Sequence, residues 1–486
     1  MIPAHRIGDR SLALKGAPDG SDGDSSNRHL PTAEDGSLGR IGRADQLARR
    51  GVIVLIILNA AYGTYAVRGL YADGSYYLWN ILERRSFFFL GPSRATAQFA
   101  TQLPVVAAIN LGVNNVAILA RLQSFGTVMI PMMVWALALF VLFKSSAFWP
   151  FVACFAVTFL NSGFFSVGEF NFAVSFVALS AALLIRGDLT RPRCIALLVC
   201  AVMLPLSYEC LVFLGPLLIL LSILRLSQLS HDLRLHRWPI YSLLVAGCLY
   251  LIATVLAAFW ILHPRDGGNL SGAANLMWPI RLDPGQLTVS GILAGLYVAA
   301  WLLAGERMQL IATITLGIGS LALLVPALWS PPWLSYISRS DTCLAFFGLV
   351  SVISVAAILR SDSVRQSTTI RYTNYFWIAS FSLVVVLFVP FIAHTWAWTQ
   401  WVSSFQTNVI TKHGFQTDAG TVQKFDPNSL YVSSYTNPAL SQLLTTGTDQ
   451  GIILSPTAYT KVTEEVTGGL TVGPLPQRFY LNGPLF

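Results

Sequence analysis

The sequence predicts an all-α polytopic membrane protein: about eleven transmembrane helices, amphipathic helices in the first outer loop, and a small C-terminal outer-face segment of α/β or irregular structure. Three observations carry this. Charged residues make up 11% of the chain and hydrophobic residues 54%. A soluble domain carries roughly 25% charge, so too little polar surface is left to cover a water-soluble fold. Apolar runs long enough to cross about 30 Å of hydrocarbon recur along the chain. These runs exceed the roughly 10 alternating residues of a barrel strand, and in lipid a backbone that must satisfy itself is then helical.

Residues 1–50 are rich in Gly, Ser, Asp and Arg without apolar periodicity, which predicts a disordered cytoplasmic tail. The tail is too long and too mixed in charge for a signal-peptide n-region, so the apolar run after it is a retained first span, 51–69. A long polar loop, 70–115, follows and is expected to hold surface helices. Further spans are expected at 123–143, 147–166, 171–185, 194–208, 210–224, 239–262, 287–303, 308–328, 342–359 and 375–398. The two segments flanking Glu209 are short enough to be half-length helices meeting near one face. The transmembrane domain is thus 51–400. Residues 401–486 change character, with Pro, Gly, Thr and Asn punctuation and strand-like pieces at 429–434 and 451–454, and form a C-terminal extracytoplasmic segment.

The net charge of +8 resides in short loops between apolar runs, which makes it a topology signal and not a nucleic-acid footprint. The basic bias puts the N-terminus inside, and an odd number of spans then puts the C-terminus outside. Cys154, Cys194, Cys200, Cys210, Cys248 and Cys343 all lie in or beside apolar runs and form no metal or redox motif. No cofactor motif is present; no group has metal-ligand spacing, and a divalent metal stays an open alternative. Mid-span charges are nearly missing, which argues against an ion-coupled carrier.

Three acids fall at the outer face, where charge beside the membrane is costly and therefore informative. Asp73 follows the outer end of the first span; it reads either as a general base in a surface cavity or as the N-cap of a helix beginning at Ser75 or Tyr76. Glu169 sits in a very short loop, either as a functional carboxylate or as one favoured by a helix N-terminus. Glu209 interrupts an apolar stretch, after Pro205, and needs a turn, a partner or a polar cavity. Arg84, Arg85, Arg94, Arg265, Arg281 and Arg339 form the complementary set of outer-face cations. Arginine forks bond two phosphate oxygens at once, whereas any single one could equally anchor headgroups or join a surface ion pair.

The first loop, with Asp73 just past the first span and Arg94, Gln98, Gln102 and Pro104 further along, resembles the GT-C class of polytopic glycosyltransferases that use lipid-phosphate sugars. The likeness covers roughly residues 50–225 and is architectural. It implies that Asp73 is the catalytic acid of the loop and that Glu169 takes the place of a second acid. Many members carry two neighbouring acids in this loop, and here only Asp73 is close to the helix. The resemblance implies a sugar transferred from a polyprenyl-phosphate donor to a lipid or glycan acceptor on the outer face of a bacterial-type inner membrane. Asp73, Glu169 and Glu209 would be the catalytic set and the six arginines the donor-phosphate contacts. The chemistry fits by itself: phosphate is a good leaving group, so one carboxylate suffices to take the acceptor proton, and attack opposite the donor inverts the anomeric carbon. Two rival readings are a non-enzymatic lipid or glycan flippase or export component, and a glycan polymerase or ligase. Expected partners are the donor, the acceptor and membrane lipids, with no nucleic acid.

Overall fold

In the computed structural model the described residues are 33–71, 73–156, 168–186, 188–229, 237–263, 339–360, 373–411, 437–445, 478–481 and 485. They are mostly helical, and no strand forms among them; one isolated parallel bridge pairs Asn115 with Tyr480. The helices are α1 (Ala33–Tyr65), α2 (Asp73–Arg84), α3 (Ala95–Asn110), α4 (Val116–Ser124), α5 (Ile130–Val141), α6 (Phe148–Phe155) and α7 (Gly168–Arg186). They continue as α8 (Arg191–Met203), α9 (Leu211–Leu229), α10 (Arg237–Leu262), α11 (Arg339–Arg360), α12 (Thr373–Thr411) and α13 (Asn437–Leu443). Met1–Ala44 forms a unit of its own, whose described part is the opening of α1; everything else discussed belongs to Asp45–Phe486.

Five helices among the described residues are long and apolar enough to cross a membrane: Arg43–Tyr65, Val116–Val141, Gly168–Arg186, Leu211–Leu229 and Arg237–Leu262. They coincide with expected spans, as does the shorter apolar stretch Phe346–Ile358 in α11. The spans expected at 287–303 and 308–328 and the strand-like pieces at 429–434 and 451–454 lie outside the described residues. Large apolar side chains on four of these helices, all but Gly168–Arg186, face outward, among them Leu58, Phe140, Ile223, Val255 and Leu262. Exposure of that kind along whole helices suits a lipid surround and would be a liability in water.

Three boundaries differ from expectation, each for a physical reason. Helix begins at Ala33, inside the segment expected to be a tail to residue 50. The span expected at 194–208 is the 13-residue α8, about 20 Å long and too short to cross alone; Pro205 and the left-handed Leu206 (φ 57°) mark its end. The helix of the last expected span does not stop near 398: α12 runs 39 residues, about 58 Å, which is longer than the roughly 30 Å of a hydrocarbon core.

The buried apolar residues form two clusters. The larger is the helical bundle around α7, which is buried throughout and contacts α3, α5, α8, α9 and α11. Its Ala173, Ser175, Ala178, Ser180, Ala181 and Ala182 carry little bulk, which lets neighbours approach closely. The smaller cluster is a cap beyond the end of α1. It joins α2, α3 and the start of α4 to the end of α12 (Trp398, Trp401, Val402, Phe405), to α13 and to Phe479, Leu481 and Leu485. The C-terminal segment is pinned there by backbone bonds between Tyr480 and Asn114 and Val116 (3.2 and 3.0 Å). Arg121 Nη2 donates to Leu485 O at 3.2 Å, and Gln406 Oε1 accepts from Leu485 N at 3.0 Å.

Candidate functional site at the junction of bundle and cap

The chain leaves α1 through a tight corner. Val67 adopts a left-handed conformation (φ 44°), costly for a β-branched residue. A 3-10 turn, Arg68–Leu70, follows. Trp398 Nε1 donates to Ala66 O at 3.0 Å, and the Tyr71 ring meets Trp398 edge-on at 5.5 Å. Arg68 is fully buried with its guanidinium over the Phe391 ring at 3.7 Å. Two glycines make the corner possible. A Cβ on Gly69 would stand 2.5 Å from Ser124 Cα, and one on Gly74 would stand 1.6 Å from Gly69 O. This corner delivers Asp73 to the first turn of α2, half-buried. The helix begins at Asp73, two or three residues before the expected start at Ser75 or Tyr76.

One turn further, Tyr77 faces Glu169, the second residue of the central helix α7. Tyr77 Oη donates to Glu169 Oε1 at 2.7 Å, and Gln98 Nε2 donates to the same oxygen at 3.0 Å. Gln98 Nε2 also lies 3.1 Å from Tyr77 Oη. Glu169 is 2% exposed, and its second oxygen, Oε2, is buried without a hydrogen-bond partner. A buried carboxylate oxygen of this kind is costly unless something donates to it. Burial first, and the negative charges of Glu169 and Asp73 second, push the Tyr77 phenol well above its ordinary range. Tyr77 is therefore a donor that holds Glu169 and not a base in its own right.

Glu209 is engaged otherwise. Arg94 Nε donates to Glu209 Oε1 at 3.0 Å and to Oε2 at 3.3 Å, and Ser93 Oγ donates to Oε1 at 3.0 Å. The Arg94 guanidinium also stacks over Tyr208, 4.8 Å from the ring centroid. The α8–α9 corner docks on the start of α3: Thr96 Oγ1 donates to Pro205 O at 2.5 Å and Thr96 N to Leu206 O at 3.0 Å. Burial opposes the charge on Glu209, but Arg94 and the surrounding hydrogen bonds outweigh it and hold the carboxyl below the usual range. Glu209 and Arg94, singled out in the sequence as separate functional groups, thus satisfy one another as a clasp.

The α3 helix is built polar side inward. Arg94, Gln98, Thr101 and Gln102 lie at helical spacing on the packed face, while Phe99 and Leu103 are 45% and 47% exposed. Gln102 fixes the preceding loop by accepting from Phe88 N at 2.9 Å and donating to Phe88 O at 2.7 Å; Gln98 Oε1 accepts from Leu90 N at 3.1 Å. A close approach completes the packing: a Cβ on Gly126, in the π-helical turn Phe125–Met129 between α4 and α5, would stand 1.8 Å from Thr101 O.

Of the other arginines, Arg84 and Arg85 are exposed at the far end of α2, about 16 Å of helix rise from Asp73. Arg265 and Arg281 lie outside the described residues, and Arg339 is placed only as the first residue of α11. No group of three or more His, Cys, Asp or Glu able to hold a metal ion occurs among the described residues. Sequence reasoning missed Tyr77, Ser93 and Arg68. Tyr77 was legible as the residue one turn after Asp73; nothing in the sequence marks the other two. No protein-family model matches the chain, and no curated protein or solved structure is significantly similar to it.

Proposed function

We propose that the chain is a membrane glycosyltransferase. It moves a sugar from a polyprenyl-phosphate donor to a lipid or glycan acceptor at the outer face of a bacterial-type inner membrane, with the N-terminus cytoplasmic and the C-terminus outside. The observation that carries this reading is the position of Asp73: it opens α2 just beyond the first apolar helix, one turn from the phenol that holds the buried Glu169.

In this reading Asp73 takes the proton of the acceptor hydroxyl as its oxygen attacks the anomeric carbon, and the polyprenyl phosphate leaves from the opposite face. Glu169 orients the acceptor through Oε2, its uncommitted oxygen. Tyr77 and Gln98 keep that carboxylate in place from the other side. The apolar outward face of α3 suits a substrate that arrives through lipid. The Arg94–Glu209 clasp shapes the site without touching substrate; Arg84 and Arg85, about 16 Å of helix rise from Asp73, stand too far to meet the donor phosphate, which leaves Arg265, Arg281 and Arg339 for that role.

The test is the anomeric configuration of the product. Purified protein given polyprenyl-phosphate sugars of defined configuration should yield the inverted glycoside. A retained configuration, or no transfer from any donor tried, counts against a single-base transferase.

A further inference from the structure

Tyr76, Trp79 and Asn80 stand at positions i, i+3 and i+4 of α2, a triangle of neighbours on the helix surface. Asp73 lies one turn before Tyr76 on the same side of the helix. Each of the three carries a buried polar atom with no hydrogen-bond partner: Tyr76 Oη, Trp79 Nε1 and Asn80 Oδ1. Trp79 is 2% exposed and Asn80 fully buried. The Asn80 carboxamide is fixed, because its Nδ2 donates to Tyr76 O at 2.9 Å, and Oδ1 is left as its uncommitted end. A buried tyrosine or tryptophan ordinarily finds a partner for its O–H or N–H, and a buried polar group without one is costly. Three such atoms on five consecutive residues of one helix mark a place built to receive a polar ligand.

The chemistry of the row selects that ligand. The indole donates, the carboxamide oxygen accepts and the phenol does both. None of the three carries a charge, and Glu83 and Arg84, a turn further on, are exposed. A phosphate would call for a cation, whereas neutral hydroxyl groups donate and accept in the pattern offered. Tyr76 is half-buried, with its ring edge-on to Phe88 at 5.6 Å, and forms the mouth of the row. From Asp73 to Asn80 the helix rises about 10 Å, so a ligand that meets Asp73 can extend along it.

We propose that Tyr76, Trp79 and Asn80 bind the hydroxyl groups of a glycan. This deepens the transferase reading, on which it rests for the role of Asp73, and commits the acceptor to a glycan whose reacting hydroxyl meets Asp73.

The full chain is placed in phosphatidylcholine nanodiscs, free of glycoside detergents. Saturation-transfer NMR then reads the binding of methyl glycosides of glucose, galactose, mannose and arabinose. Wild type should bind at least one of them. Tyr76→Phe, Trp79→Phe and Asn80→Ala should each bind it about tenfold more weakly, the loss of one hydrogen bond. Tyr76→Phe should unfold at the wild-type temperature or above, since the hydroxyl it loses has no partner in the fold; it carries the test alone if Asn80→Ala fails to fold. Deoxy analogues of the bound glycoside separate contact from folding. Removing the hydroxyl that Tyr76 holds should weaken wild type about tenfold and leave Tyr76→Phe unchanged. No binding by wild type, or equal binding by wild type and the variants, as when water alone fills the row, overturns the site. Row-dependent binding without transfer from any donor would keep the site and sink the transferase. Transfer to a glycan acceptor with the same KM in wild type and Tyr76→Phe would do the reverse.

Discussion

Replacing Arg94 by Ala should strand the Glu209 carboxylate. Both oxygens lie within 3.3 Å of Arg94 Nε, and the two side chains are only 10% and 18% exposed. Removing one partner of a buried pair typically costs about 3–5 kcal/mol, most of it the unpaired charge left behind. Glu209→Ala should cost less, because the surviving Arg94 still stacks on Tyr208 and a guanidinium is the more weakly hydrated ion. The double variant should be less damaged than the sum of the singles, with a coupling of about 2 kcal/mol. Unfolding is read in detergent by exposure of Cys210, which is fully buried beside Glu209, to a thiol-reactive dye. The folded-state Glu209 carboxyl lies below its ordinary value of 4.5. Its contribution to stability is therefore complete above about pH 4.5 and lost as pH falls through the lower folded value. Glu209→Gln should remove that acid-side loss. Additive single and double effects, or an unchanged acid dependence in Glu209→Gln, would refute the clasp.

Three further outcomes follow from the same geometry. Gly74→Ala puts a Cβ 1.6 Å from Gly69 O, where both atoms are backbone-fixed; a loss of about 3 kcal/mol or more is expected, seen as loss of a monodisperse peak in size exclusion. Tyr77→Phe leaves Glu169 Oε1 with Gln98 alone, and the unfolding midpoint should fall by the equivalent of about 1–3 kcal/mol, whereas an unchanged midpoint would mean that the phenol is not supporting the carboxylate. Cys248 is exposed within α10. In a variant keeping only this cysteine, a charged maleimide should fail to label intact membranes and should label the protein unfolded in dodecyl sulfate; labelling in intact membranes would contradict a lipid-facing α10.

The helices long and apolar enough to cross a membrane are the part of this fold most legible in the sequence, because in lipid a long apolar run has few alternatives to helix. The ends of α10 and α7 fall within a few residues of the expected spans. Boundaries differ where a helix continues past its apolar run, as α12 does beyond 398, because hydropathy records apolar composition and not helix length. The α3 stripe was half visible: Arg94, Gln98 and Gln102 share a face by spacing, but only packing shows that this face points inward. Glu209 stood out as an acid in an apolar stretch, yet its partner lies 115 residues away in sequence, and spacing carries no information about such a contact. The same holds for Tyr480, whose backbone pairs with residues 114–116 at the start of α4.

The site has a division of labour that residue types alone would not reveal. Two of its three acids are committed in different degrees. Glu209 is fully answered by a cation, and Glu169 is half answered by neutral donors. Tyr77 and Gln98 both donate to Glu169 Oε1, while Oε2 is buried without a hydrogen-bond partner. Asp73, half-buried at a helix start, is the most accessible of the three.

The most direct measurement is transfer of labelled sugar from polyprenyl-phosphate donors by purified wild-type protein beside Asp73→Asn, with both shown to unfold at the same temperature. The account predicts transfer by the wild type and none by Asp73→Asn, since the amide keeps the shape and removes the base. Transfer by a well-folded Asp73→Asn protein at the wild-type rate would contradict it.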